Sequence, residues 1–294
     1  MSDLAALLRH HWGMAGAAVG RLGGGMNSET WTVEHDGARY VAKSVPAHDR
    51  DGLVRGCAVA AALAEAGLVT GRPVPTVDGG FVPPETATAL LEHVPGRELA
   101  GATEWEQREI AHTLGRVHRV GGPTVGRGTS GFFTWLTPQA PGVGDRPWLA
   151  RAVRAVRAET DQAVLTWSVL HTDPAPEAFR RDPATGVTGL IDWTGAQRGP
   201  VLYDVASAVM YLGGPDRAAS FLESYRELGL LGTDEWRRLD DLRRFRWIVQ
   251  AVYFTGRLVS NDLTGVSDQA DNERGLQDAR RGLAELGVES TGDV

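Results

Sequence analysis

The 294-residue chain is 42 % hydrophobic and 23 % charged, the make-up of a globular protein long enough for two lobes or domains. Its formal charge of −7 speaks against non-specific binding to nucleic acid or to an anionic membrane, both of which favour basic surfaces. The single cysteine, Cys57, rules out an intramolecular disulfide and reads as a buried thiol. No stretch nears the ~20 apolar residues of a membrane span, so a cytoplasmic location is expected; the sequence leaves monomer or homodimer open.

In chain order, residues 3–12 suit a short helix, and the pattern then changes to strands from Val19 to Val45. The turn GRLGGGMNS precedes ETWTVEH, which alternates apolar and polar positions; Asp36-Gly37 signals a hairpin and ARYVAKSV resumes the alternation. A helix from Gly52 to Ala66 is expected to stop at Gly67. Pro73–Val77 and Thr88–Glu92 read as two further strands, and HVPGREL as a linker. Beyond it the chain becomes mostly helical: Glu104–Val120, Trp148–Ala163, Tyr203–Leu212, Arg217–Leu228, Asp234–Asn261 and Asn272–Leu286. The apolar runs WSVLH and VTGLIDW are too short for helices and suit a small hairpin. The coarse reading is a strand-rich N-lobe over residues 1–93 and a helical C-lobe over 94–294.

Four features together point to phosphoryl transfer, which needs a triphosphate held in place, metal to offset its charge, and a carboxylate beside the attacking hydroxyl. Gly23-Gly24-Gly25 with Asn27 and Ser28 would let backbone N–H groups approach phosphate oxygens. Lys43, on the third strand and expected to face away from Val41 and Val45, can reach phosphates from behind that turn; lysine is scarce here, the other basic residues being arginine. Asp173 in HTD and Asp192 in GLIDW each follow a short apolar run, where an ionised carboxylate is poorly explained by packing.

On these residues the chain resembles the aminoglycoside phosphotransferase and choline kinase family, relatives of the protein kinases, from about Leu22 to Leu212. LHTDPAPEAF and GLIDWTGAQRGPVLYDVA look like its catalytic loop, its metal-binding strand and the helix start that follows; LGGGMNSETWTV and YVAK are similar to its nucleotide loop and strand lysine. The resemblance implies an α+β, bilobal protein-kinase-like fold, with an antiparallel-sheet N-lobe and a mainly helical C-lobe. It implies ATP or GTP with Mg2+ as cofactors and a small-molecule hydroxylated acceptor such as an antibiotic, hence a role in antibiotic resistance. Asp173 would be the base, Asp192 the Mg2+ ligand, and Lys43 the holder of the α/β-phosphates. In LLEHVPG the backbone of Glu92 and Val94 would hold the adenine. His171 would be a supporting residue, and Asp204 a helix cap or a brace for the catalytic loop.

Three positions depart from the family pattern. Ala178 stands where the family has the asparagine that ligates a second metal, and its neighbour Glu177 is the candidate replacement. Gly56 or Cys57 falls where a helix glutamate should pair with Lys43. Thr172 replaces the glycine of the catalytic triplet, a mild change that adds bulk. Two functions follow: an active small-molecule O-kinase, or a catalytically impaired, pseudokinase-like nucleotide or small-molecule binder. A kinase of protein substrates is disfavoured, because only TGAQRGP follows Asp192 where an activation segment would lie. Trp247, Tyr253 and Phe254 could stack on a ring as walls of an acceptor pocket, with core packing the preferred reading of each; Asp262, Asp268, Asp271 and Glu273 form an acidic cluster that reads as a solvated loop.

Overall fold

The computed structural model describes residues 2–288 except 24, 26, 128–131, 133–135 and 161–162. The first elements are α1 (Ser2–Trp12), β1 (Ala18–Leu22), β2 (Glu29–His35), β3 (Ala38–Ser44), α2 (Arg50–Glu65), β4 (Thr88–Glu92), β5 (Arg97–Glu98) and α3 (Glu104–Val120). Then come β6 (Thr124–Arg127), α4 (Pro147–Thr160), β7 (Val164–Leu170), β8 (Phe179–Arg181), β9 (Thr188–Leu190) and β10 (Gln197–Pro200). The last described elements are α5 (Val201–Tyr211), α6 (Ala219–Glu227), α7 (Thr233–Trp236), α8 (Leu239–Ser260) and α9 (Gln269–Glu285). The chain divides into two compact units, Met1–Gly121 with Pro174–Gln197, and Gly122–Asp173 with Arg198–Val294.

The first unit is built on an antiparallel sheet of order β1-β2-β3-β4. Alternation along β4 sends Leu90 to one face, where it meets Ala42, Val33 and the apolar side of α1 (Leu4, Leu8, Trp12). Ala89 goes to the other face, with Val45 and with Leu53 and Cys57 of α2. The β2–β3 hairpin turns at Asp36 and Gly37, both at positive φ (48° and 77°), as a tight two-residue turn requires. The segment 73–77 is not a strand. It makes one isolated bridge, Pro73 to Leu91, and Val74 N–H donates to Leu90 O at 2.8 Å; Pro73 and Pro75 have no N–H with which to continue the ladder. A second sheet of order β5-β8-β9 completes this unit with α3, whose N-terminus is capped by the Thr103 hydroxyl accepting from Glu106 N–H at 3.2 Å.

The second unit holds the sheet β10-β7-β6 and helices α4 to α9. The runs WSVL and TGLI therefore lie in different sheets, on β7 and β9, and do not form the expected hairpin. The single helix expected over 234–261 is two, α7 and α8, and α8 stops at Asn261 with φ 53°. Among the described residues no helix is long and apolar enough to cross a membrane.

Helices α8 and α9 meet through aromatic side chains seated on glycines. A Cβ on Gly275 would lie 2.3 Å from the Phe254 ring, and one on Gly282 would lie 2.1 Å from Trp247. The spacing of seven residues on each helix brings both pairs to one seam. Trp247 and Phe254 thus serve helix packing. Helix propensity alone favours Gly275→Ala by up to about 1 kcal/mol, but overpacking costs about 1–3 kcal/mol. The substitution should therefore lower the midpoint of urea unfolding rather than raise it.

Candidate functional site

Within the first unit, Lys43 of β3 and Asp192, just beyond β9, form an ion pair: Nζ donates to Oδ1. The lysine is buried and its partner's side chain is 57 % exposed, so the carboxylate stays open to solvent while the ammonium does not. Residues 41, 43 and 45 share a strand face by alternation, so Lys43 points to the same side as Val41 and Val45, not away from them. That is the face covered by α2, where Cys57 is buried beside Lys43. Burial raises the thiol's pKa from 9.0 to about 12, against the pull of the Lys43 charge.

The missing helix glutamate has a steric reason. A Cβ on Gly56 would fall 2.2 Å from the carbonyl oxygen of Trp193, and one on Gly52 would fall 3.2 Å from that of Thr194. These two glycines, one turn apart, let α2 lie directly on the chain that follows Asp192, leaving no room for an acid. Lys43 takes Asp192 instead. Asp192 itself has φ 70°, and Thr194 Oγ1 donates to its Oδ1 at 3.4 Å.

The other nucleotide-site candidates in this unit fall as follows. Gly23, Gly25 and Asn27 are exposed in the β1–β2 connection, Gly25 has φ 98°, and Ser28 is buried; Gly24 lies outside the described residues. At the end of β4, His93 N–H donates to Arg39 O at 3.2 Å, whereas Glu92 N–H turns away from β3 to Arg72 O at 2.8 Å. The N–H of Val94, a residue only 8 % exposed, has no acceptor among the described residues. A ligand acceptor such as an adenine nitrogen would satisfy that donor. Between them, His93 has its pKa lowered from 6.5 by burial and by Arg180 and Arg39.

Glu177 is exposed in a short 3₁₀ turn, Pro176–Ala178, and Ala178 is buried. The β8–β9 register, Phe179 opposite Leu190, continues by one bond, Ile191 N–H to Ala178 O at 3.0 Å. Glu177 lies in the turn just before that ladder and Asp192 just after it. Among the described residues no three His, Cys, Asp or Glu gather into a cage. The single exposed carboxylate of Asp192 suits Mg2+, which binds one or two carboxylates and takes its other oxygens from phosphate and water.

In the second unit the loop His171-Thr172-Asp173 is held from α5. The Asp204 carboxylate, fully buried, accepts the N–H of His171 at 2.7 Å and of Thr172 at 2.8 Å, so it braces the loop. Thr172 has φ 75°, the left-handed region that a β-branched residue rarely enters. Its replacement of glycine is therefore a strained change, not a mild one. Asp173 is exposed; its Oδ1 accepts from Tyr211 Oη and, at 2.9 Å, from Arg246 Nη2. Sequence reading missed Ser207, Tyr211 and Arg246. The available signal was the spacing Asp204, Ser207, Tyr211, a polar stripe at i, i+3 and i+7 on an otherwise apolar helix.

Three acids of the cluster in the same unit are used internally. Asp262 pairs with Arg257 at 3.1 Å, Asp268 caps α9 by accepting from Ala270 N–H at 2.9 Å, and Asp271 accepts from Ser267 N–H at 2.9 Å and pairs with Arg274.

The sequence model of the phosphotransferase enzyme family (APH) matches residues 18–242, and the chain belongs to that family. Among solved structures it is similar to the choline kinase LicA of Streptococcus pneumoniae, at 15 % identity and a TM-score of 0.73 over 97 % of this chain and 98 % of that one. A thermostable mutant of aminoglycoside phosphotransferase APH(4)-Ia, in ternary complex with ADP and hygromycin B, aligns with TM-score 0.69 at 15 % identity, over 99 % of this chain and 100 % of that one. Amicoumacin kinase hAmiN, in complex with AMP-PNP, Ca2+ and Ami, gives 0.65 at 14 % identity, over 94 % and 90 %. Among curated protein sequences none matches significantly. The fold is thus the α+β, protein-kinase-like one that the resemblance implied, and the chain is a phosphotransferase.

A left-handed non-glycine residue carries about 1–3 kcal/mol of strain, and glycine gives back about 0.5–1 kcal/mol through backbone entropy. Thr172→Gly should therefore stabilise the protein by about 1 kcal/mol in urea unfolding; an equal or lower midpoint would show that the loop holds no such strain.

Proposed function

We propose that this phosphotransferase moves the γ-phosphate of a nucleoside triphosphate, ATP or GTP, to a hydroxyl of a small molecule, an antibiotic or a metabolite. The Lys43–Asp192 pair carries the proposal: a buried ammonium with one exposed carboxylate beside it supplies a charge for phosphate oxygens and a ligand for the metal that accompanies them. Residues 1–93 form the nucleotide-binding lobe, and 94–294 carry the catalytic loop and the acceptor pocket. Gly23, Gly24, Gly25, Asn27 and Ser28 line the phosphates through their backbone, and Glu92 and Val94 present backbone groups to the base. Mg2+, when bound, offsets phosphate charge on Asp192, with Glu177 as the second protein oxygen. Asp173 orients the acceptor hydroxyl and takes its proton through Oδ2, which has no hydrogen bond among the described residues. A role in antibiotic resistance and a cytoplasmic location accord with this reading.

A nucleotide that binds only the native state at 100 times its Kd stabilises it by about 2.7 kcal/mol. ATP or GTP should raise the melting midpoint in a Mg-dependent way, and Asp192→Asn, which keeps a hydrogen-bond partner for Lys43, should abolish that rise. With a panel of hydroxylated acceptors, transfer should be lost in Asp173→Asn. Nucleotide binding without transfer to any acceptor would favour the pseudokinase-like reading, for which the buried, non-coordinating Ala178 is the relevant observation.

A further inference from the structure

The base assigned above does not stand alone. Arg246 on α8 is only 5 % exposed, and its N–H groups reach four side chains. Nε donates to Ser207 Oγ at 3.1 Å and Nη1 to Gln250 Oε1 at 3.3 Å; Nη2 donates to Tyr211 Oη at 3.0 Å and to Asp173 Oδ1 at 2.9 Å. Tyr211 Oη donates in turn to the same Asp173 oxygen, which closes a three-membered ring of hydrogen bonds. Burial pushes the Tyr211 pKa up, and the Asp173 charge adds to the rise against the pull of Arg246, so the phenol stays a donor. Burial opposes the charge of Arg246, but the phenols of Tyr203 and Tyr211 and the Asp173 carboxylate outweigh it, and its pKa is raised.

Burying a guanidinium carries a desolvation cost that an apolar side chain in the α5–α8 interface would avoid. What the arginine gains there is control of a carboxylate that is otherwise free to turn, since the Asp173 side chain is 58 % exposed. Both clamping bonds fall on Oδ1, so one rotamer is selected and one oxygen, Oδ2, is presented outward. Ser207 and Tyr211 lie on the α5 stripe that also carries Asp204, the brace of residues 171 and 172. Loop backbone and base side chain are thus fixed by the same helix face, with Arg246 locking the far end.

We propose that Arg246 and Tyr211 are positioning residues of the transfer reaction, clamping Oδ1 of Asp173 so that Oδ2 alone receives the acceptor hydroxyl. The proposal rests on Asp173 being the base. Turnover is read as transfer from MgATP to the hydroxylated panel, and as phosphate release with water as the acceptor. Displacing a base by about 1 Å costs about a hundredfold, so Arg246→Ala should lower kcat by about that factor, and Tyr211→Phe by about tenfold, with KM for ATP unchanged. Millimolar guanidinium chloride should restore part of the Arg246→Ala rate. Tyr211→Phe should add no further loss in the Asp173→Asn background, as expected of groups that act as a unit. Should Arg246→Ala fail to fold, Tyr211→Phe, which removes one hydroxyl, carries the test. Wild-type kcat in both clamp variants, with Asp173→Asn inactive, overturns the clamp and leaves the base. Full turnover by Asp173→Asn, or no turnover by the wild type with any acceptor, overturns the base and the clamp with it.

Discussion

A single ion pair ties together residues 149 positions apart: Lys43 on the third strand of the first sheet and Asp192 beyond the last strand of the second. An ammonium buried to that degree needs an acid, because a lone charge away from water is strongly disfavoured. Much of the first unit is arranged around this need. Helix α2 carries glycine at 52 and 56 so that the segment after Asp192 can sit against it, and Cys57 fills the remaining apolar space. The acid that relatives of this fold are expected to supply from the helix is supplied here by Asp192, the residue proposed to hold the metal. In the proposed function, a nucleotide and its metal would therefore meet lysine and aspartate as a preformed pair.

The second unit solves a different problem, that of holding a polar loop in a strained conformation. Thr172 is kept in the left-handed region because both flanking constraints are strong. A buried carboxylate takes two consecutive N–H groups on one side, and the arginine–tyrosine ring fixes Asp173 on the other. Hydrogen bonds to an ionised acceptor are among the stronger ones available, and those to Asp204 act directly on the loop backbone. Aromatic packing of Phe132, Tyr203 and Phe245 lies behind α5 and α8 and stiffens the frame from which they reach.

Local structure was largely legible in the sequence, and pairing was not. The period-two pattern and Asp36-Gly37 gave the β1–β3 meander, and the amphipathic run from Glu104 to Val120 gave α3 to the residue. The segment 73–77 reads as a strand in the sequence, but its two prolines cannot donate to a ladder. The break between α7 and α8 lies among arginines and carries no glycine or proline to announce it. Candidate chemistry was legible as residue types at the ends of short strands. The partner of Lys43 was not, since nothing local links positions 43 and 192. Arg246 was hidden by its type: on a helix rich in arginine, one guanidinium turned inward looks like the rest.

Lys43 is the only lysine of the 294 residues, so amine chemistry can test the nucleotide role of the pair directly. An acyl phosphate derivative of ATP delivers its acyl group to an amine lying against the bound phosphates, and peptide mass spectrometry locates the label. The account predicts acylation at Lys43 that excess MgATP suppresses. Absence of label at Lys43, or labelling that MgATP leaves undiminished, would contradict it.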